Sequence, residues 1–266
     1  MDSPLDVTGD SIELASAARF ADRVSNYTRY RPGYPDQALS FIQRETGLVG
    51  ENVVADLGSG TGIWSRLLLE AGYRVVGVEP SPEMRGVAES TLASFDAFQS
   101  VDGRSDQTGL APDSVDLITA AQAFHWFDIS ASRRECQRIL KDQGFVALLW
   151  NERLTDASPF LMDYEALLQA YATDYNQVNH AKLPASVFPG FYGHDKFRVA
   201  SFPNIQHFDY EGLEGRLLSC SYVPNEEQPG YRPMLDALKK VFEQRAVEGR
   251  VAFEYQTRVY CGQLKP

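Results

Sequence analysis

The stretch VVADLGSGTG, Val53 to Gly62, decides the fold. Val53, Val54, Ala55 and Leu57 suit a strand buried on both sheet faces, because β-branched and small apolar side chains pack well against a pleated backbone. Asp56 interrupts the run near its end. Gly58, Gly60 and Gly62 then occupy every second position, with only Ser59 and Thr61 between them. Without a Cβ, glycine admits positive φ and lets backbone N–H groups come close to a ligand. Helical spacing begins at once, Ile63 with Leu67 and Trp64 with Leu68. Strand, glycine turn and helix in this order form the opening unit of a nucleotide-binding α/β domain.

The glycine spacing separates ligand classes. A dinucleotide turn, G-x-G-x-x-G, would place its third glycine at position 63, where this chain has Ile63. A phosphate-cradling loop ends in Gly-Lys-Ser/Thr, and no lysine is present here. The turn is therefore built for close backbone approach without a phosphate-binding signature. The second strand, RVVGV from Arg74, runs into Glu79. A carboxylate at that tip can accept two hydrogen bonds from a ribose diol; taken alone, a solvated strand-end acid would be the better reading, and the glycine turn before it favours the ribose. Pro80, Ser81 and Pro82 follow, with Ser81 placed as an N-cap and Pro82 at the first helical position.

DLGSGTG, the strand ending VEP, and DSVDLITAAQAFHWF further on resemble a class I S-adenosylmethionine-dependent methyltransferase, more narrowly its type 11 small-molecule branch. RYRPGYP (Arg29 to Pro35) and QAFHWF (Gln122 to Phe127) are similar to the subgroup that includes trans-aconitate methyltransferase-like proteins. The match covers about Phe20 to Asn151. The resemblance implies a Rossmann-like, doubly wound, mostly parallel seven-stranded α/β sheet with an antiparallel C-terminal strand. It implies S-adenosylmethionine as cofactor, S-adenosylhomocysteine as product, and no metal.

Composition is compatible. The chain has 266 residues, 44% hydrophobic and 23% charged, as in an ordinary globular protein. Its formal net charge of −11 argues against a nucleic-acid partner, whose phosphates need Lys and Arg. Cys136, Cys220 and Cys261 form no C-x-x-C pair and fit free thiols in a reducing cytoplasm. The opening MDSPLDVTGD reads as neither a signal nor a transit peptide, and no apolar run suggests a membrane span. The expected partner is a small-molecule acceptor and the expected assembly a monomer or homodimer.

Four segments are expected along the chain: a disordered tail over 1–15, a cofactor-binding core with N-terminal lid helices over 16–152, a helical insertion serving as substrate lid over 153–195, and sheet completion over 196–266. Helices are read over Ser16–Tyr30 and from Asp36 to Thr46. Strands are read at 53–57, 74–79, 97–101, 114–120 and 144–150. A helix covers Ile129 to Leu140, and another opens at Ser158-Pro159 and runs to about Val178. Phe197–Phe208 reads as a strand, and Gly212–Ser219 and Tyr231–Val247 as helices. Val251–Cys261 alternates with period two and is expected to close the sheet as an antiparallel edge.

Methyl transfer from a sulfonium needs little acid–base help, so positioning and desolvation carry most of the catalysis. Asp56, Gly58, Ser59, Gly60, Gly62, Glu79 and Pro80 are the expected cofactor residues at the turn. By resemblance, Met84 packs on ribose or adenine, although helix core would explain it too. The loop Arg104, Ser105, Asp106 holds the adenine by the same token; Asp106 meets its amine, or Arg104 stacks on the ring, and a plain surface turn is the alternative. Ala121 and Gln122 face the methionine portion. His125 and Trp126 face the acceptor, Trp126 as an apolar wall and His125 as a base or hydrogen-bond donor, or else as a structural residue. By resemblance, the segment holding Tyr27, Arg31 and Tyr34 closes over the cofactor, with Arg31 meeting the methionine carboxylate or an acceptor carboxylate, or else packing beside its prolines. Trp150, Asn151, Arg153 and Tyr222 are further pocket candidates. Methylation of a carboxylate or hydroxyl oxygen is the expected reaction. A catalytically inactive S-adenosylmethionine-binding regulatory module is the alternative.

Overall fold

The computed structural model describes residues 29–173, 175 and 183–264. Tyr27, the expected tail and nearly all of the helix expected over Ser16–Tyr30 lie outside them, as does most of the helix extension toward Val178. The elements are α1 (Asp36–Thr46), β1 (Val53–Leu57), α2 (Ile63–Glu70), β2 (Arg74–Val78), α3 (Pro82–Thr91), β3 (Phe98–Val101), β4 (Val115–Ala121), α4 (Ile129–Ile139), β5 (Leu140–Arg153), α5 (Pro159–Tyr171), α6 (Val187–Tyr192), β6 (Arg198–Phe208), α7 (Tyr210–Leu218), α8 (Tyr231–Arg245) and β7 (Val251–Gly262). A single-turn 3₁₀ helix, Phe124–Trp126, follows β4.

The seven strands form one sheet in the order β3-β2-β1-β4-β5-β7-β6. β3 through β5 are mutually parallel, and β7 is antiparallel to both of its neighbours. The order reverses between β1 and β4, and such a reversal opens a crevice at the carboxyl ends of the strands. One expectation is corrected here. β7 is not an edge: it lies between β5 and β6, and β6 is the outer strand. The period-two pattern of β7 reports one deeply buried face, with Phe253, Thr257 and Val259 fully enclosed. Alternation says which face is covered and nothing about whether the backbone has a neighbour on each side.

Local chemistry sets the boundaries. Ser81 caps α3 by accepting from the Met84 N–H at 3.3 Å, with Pro82 at the first helical position. Ser158 caps α5 in the same way, with Pro159 following. The helix expected from Gly212 starts earlier, at Tyr210, because the Asp209 carboxylate accepts from Gly212 N–H at 2.9 Å. β5 also starts earlier than expected, at Leu140, directly after α4. One apolar cluster packs α1, α2 and the sheet. A second, on Phe124, Ile139 and Tyr192, joins α4 and α6 to the sheet. A third, around Tyr164, Leu213, Met234 and Phe253, joins α5, α7 and α8 to β7. The C-terminal helices thus form a wall beside the crevice. No helix among the described residues is long and apolar enough to cross a membrane.

Candidate functional site

The crevice holds a cavity of about 730 Å³. Its first wall is the β1–α2 turn. Gly58 and Gly60 have φ of 66° and 56°, values that strain residues bearing a Cβ. The two differ in what they face. A Cβ on Gly58 would sit 2.6 Å from the Ala123 Cβ, whereas one on Gly60 would meet nothing within 4 Å. Gly58 is needed to pack the turn against the segment after β4. Gly60 leaves the cavity beside it open. Gly62, expected at the ligand, caps α2 and packs on Leu92 instead; it does not line the cavity.

Glu79 joins the turn to the end of β2. Its Oε2 accepts from Gly60 N–H at 2.9 Å and its Oε1 from Ser81 N–H at 3.0 Å. A carboxylate offers about four lone-pair sites, so two remain for hydroxyls in the cavity that it lines. Burial raises its pKa. Arg85, bonded to the Glu79 and Pro80 carbonyls and to Asp102, braces the strand end from outside. Asp56 lines the cavity floor, fully buried, and accepts from Ser65 Oγ at 2.6 Å and Thr119 Oγ1 at 2.9 Å. Its desolvation outweighs both bonds and pushes the pKa up to about 6. Ser59, Pro80, Met84, Ser105, Ala121 and Gln122 also reach the cavity. Met84 does so while 5% exposed, so the packing and ligand readings of it coincide.

Arg104 and Asp106 do not line the cavity. They grip one another at 2.7–3.1 Å across a tight turn. An acid two residues from an arginine is within easy reach of it, and here the two side chains bond one another. Ser105, between them, stays on the wall and bonds Ser132 Oγ at 2.8 Å.

The far side is built by the segment after β4. Gln122 holds a φ of 59°, uncommon for a residue with a side chain. Its N–H is bonded to the Leu149 carbonyl and its side chain to the Asn151 carbonyl, so β5 holds the strained turn in place. Phe124 turns into the core, and His125 and Trp126 line the cavity with ring centroids 4.8 Å apart. Burial pushes the His125 pKa down to about 4, leaving a neutral imidazole at physiological pH. Arg31 and Tyr34 line the cavity as expected. Their segment is anchored by Asn151 and Asn204, which both donate to the Gly33 carbonyl, and by Arg31 Nη2 on the Ser219 carbonyl at 2.9 Å. Trp150, Asn151, Arg153 and Tyr222 are all on the wall.

Sequence reasoning passed over several lining residues. Thr61 Oγ1 and Trp64 Nε1 are buried without a hydrogen-bond partner among the described residues, and both line the cavity. Thr61 sits between Gly60 and Gly62 and Trp64 in the first turn of α2; Trp64 reads in sequence simply as an apolar i, i+4 partner. Arg216 and Tyr255, from α7 and β7, also reach the cavity. They lie beyond the motif region, and only the three-dimensional fold brings them to it.

The geometry has counterparts in known proteins. A family profile described as a methyltransferase domain matches residues 55–148. An uncharacterized methyltransferase-like protein of Schizosaccharomyces pombe is 29% identical over 251 residues, covering 93% of this chain and 96% of that protein. An uncharacterized methyltransferase of Mycobacterium bovis is 36% identical over 134 residues, 50% of this chain and 52% of that protein. Among solved structures, one from Anaeromyxobacter dehalogenans, provisionally assigned as a type II methyltransferase, superposes with a TM-score of 0.64. It is 21% identical and covers 89% of this chain and 99% of that one, a likeness of fold. Residues 55–148 thus match a methyltransferase-domain profile, and the chain shares its fold with that solved structure.

Proposed function

We propose that the chain moves a methyl group from S-adenosylmethionine to an oxygen, carboxylate or hydroxyl, of a small-molecule acceptor. The observation that carries this reading is one continuous cavity. It runs from the glycine turn and Glu79 past Gln122 to a wall of Trp126, Trp150, Tyr222 and arginines. The residues present fit the cofactor. Gly60 leaves open space where a side chain would intrude, and Thr61 Oγ1 and Trp64 Nε1 are without hydrogen-bond partners among the described residues. Glu79 would hold the ribose diol, Met84 and Ser105 would flank the base, and Arg31 with the first turn of α2 would meet the methionine end.

When bound, S-adenosylmethionine supplies an electrophilic methyl carbon: a C–O bond forms as C–S breaks, and the sulfur keeps the electron pair as a neutral thioether. The protein aligns the acceptor and excludes water, because apolar walls raise the reactivity of an oxygen nucleophile by removing its solvation. A carboxylate acceptor has no proton to lose. A hydroxyl acceptor would pass its proton to His125, a neutral imidazole that desolvation also makes a weaker base. The test is turnover: S-adenosylhomocysteine should accumulate with members of a panel of carboxylic acids and alcohols. S-adenosylhomocysteine binding with no turnover across the panel would favour the inactive regulatory module.

A further inference from the structure

Three large rings of the cavity wall come from three elements: Trp150 from β5, Phe188 from α6 and Tyr260 from β7. In the antiparallel register Leu148 lies opposite Tyr260 and Trp150 opposite Arg258. Side chains alternate along a strand, so Trp150 and Tyr260 share one sheet face as diagonal neighbours. α6 packs on that face. Phe188 and Tyr260 stack nearly parallel, with centroids 3.8 Å apart and planes 5° apart. The Trp150 ring stands across both, at 85° to Phe188 and 89° to Tyr260, with centroids 5.7 and 5.9 Å away. The three rings make a right-angled corner.

Core packing alone does not account for this corner. Phe124 and Phe191, in the same apolar cluster, are fully buried. Trp150 and Tyr260 are only half-buried, as is Trp126, which lines the same cavity. A ring left half-buried inside a cavity keeps apolar surface that an occupant would withdraw from water, with a gain that grows with the area covered. The shape of the corner selects the occupant. Aromatic pairs prefer offset-stacked or edge-to-face arrangements. A flat ring laid in a right-angled corner stacks on one wall and turns its edge to the other, whereas a puckered saturated ring does neither. The charge on the same face is already matched, with Arg258 paired to Glu152 at 3.2 Å. The part of a ligand that enters the corner therefore needs no charge of its own.

We propose that Trp150, Phe188 and Tyr260 form a slot for an uncharged aromatic ring of the acceptor. The acceptor is then a small aromatic compound. This rests on the methyltransferase reading and deepens it, naming the acceptor's chemical class and the residues that select it.

The experiment is calorimetric titration of the S-adenosylhomocysteine-loaded protein with β-naphthol and with β-decalol, its saturated counterpart. β-Naphthol should bind saturably and at least about fivefold more tightly than β-decalol; burial of apolar surface alone does not favour the flat ring over the saturated one. Trp150→Leu and Phe188→Leu each keep an apolar side chain and remove a ring. Each should weaken β-naphthol by about 2–10-fold, while S-adenosylhomocysteine affinity stays within about threefold. Failure of β-naphthol to bind the wild-type complex would overturn the proposal, as would β-decalol binding as tightly or more tightly; this comparison needs no variant to fold. Unchanged β-naphthol affinity in either variant, folded by circular dichroism, would also overturn it. So would loss of S-adenosylhomocysteine affinity in a folded variant, by showing that the rings serve the cofactor's own adenine. If S-adenosylhomocysteine does not bind wild type at all, the underlying methyltransferase reading fails instead.

Discussion

Glu79 holds the glycine turn and the end of β2 in one geometry through Gly60 and Ser81. Replacing it with Ala should weaken S-adenosylhomocysteine binding by about 1.5–3 kcal/mol, the scale of hydrogen bonds to a charged group. Glu79→Gln, which keeps one acceptor oxygen, should lose less; calorimetry on both variants checks this, and wild-type affinity in Glu79→Ala would remove the ribose role. The glycines divide the labour between fold and ligand. Gly58→Ala forces a contact with Ala123 and should destabilise the fold by about 1–3 kcal/mol, read by urea denaturation. Gly60→Val should leave most of the fold in place and lose cofactor binding. His125 is neutral down to about pH 4. If it accepts a hydroxyl proton, the acid limb of kcat/KM therefore falls near 4 and not near 6.5. His125→Ala should then cost roughly 10²–10⁴ in turnover with little change in cofactor affinity. An unchanged rate and unchanged acceptor affinity would return His125 to a structural role. At this scale, the residues around the turn were legible because glycine spacing and a strand-end acid are local signals. The ion pair between Arg104 and Asp106 was not legible, because a sequence does not display which of its polar side chains meet one another.

Among the elements, the strands of the parallel half were readable from apolar runs bounded by turns, and the caps Ser81 and Ser158 from their following prolines. The place of β7 was not, since a strand's neighbours are decided by crossovers that no local pattern records. Arg216 and Tyr255 were hidden for the same reason: α7 and β7 reach the cavity only after the sheet is assembled. The segment from Arg31 to Tyr34 and the helical stretch after β5 carry aromatics and arginines outside the sheet pattern, and both contribute to the cavity wall. We propose that they act together as a lid, which excludes water during transfer. Amide hydrogen exchange should slow in both when S-adenosylhomocysteine and an acceptor bind together; unchanged exchange in both would contradict the lid.

For the whole molecule, two groups of the cavity wall set opposing pH dependences. Asp56, raised from 3.8 to about 6, holds its proton more tightly when folded, so its contribution to stability is lost as pH rises through that range. His125, lowered from 6.5 to about 4, binds its proton less tightly when folded, so its contribution is lost as pH falls through that range. Asp56→Asn should therefore gain stability relative to wild type between pH 4 and 7, by up to about 3 kcal/mol, and His125→Ala should change in the opposite direction with pH. Urea denaturation at several pH values measures both. The proposed function requires the cavity between the glycine turn, Glu79 and the segment after β4 to be a site for S-adenosylmethionine. The most direct measurement is calorimetric titration of the wild-type protein with S-adenosylhomocysteine, with NAD as the competing ligand. Saturable binding of S-adenosylhomocysteine without added metal, abolished by Gly60→Val, is the predicted result; no binding at millimolar ligand, or preferential binding of NAD, would contradict it.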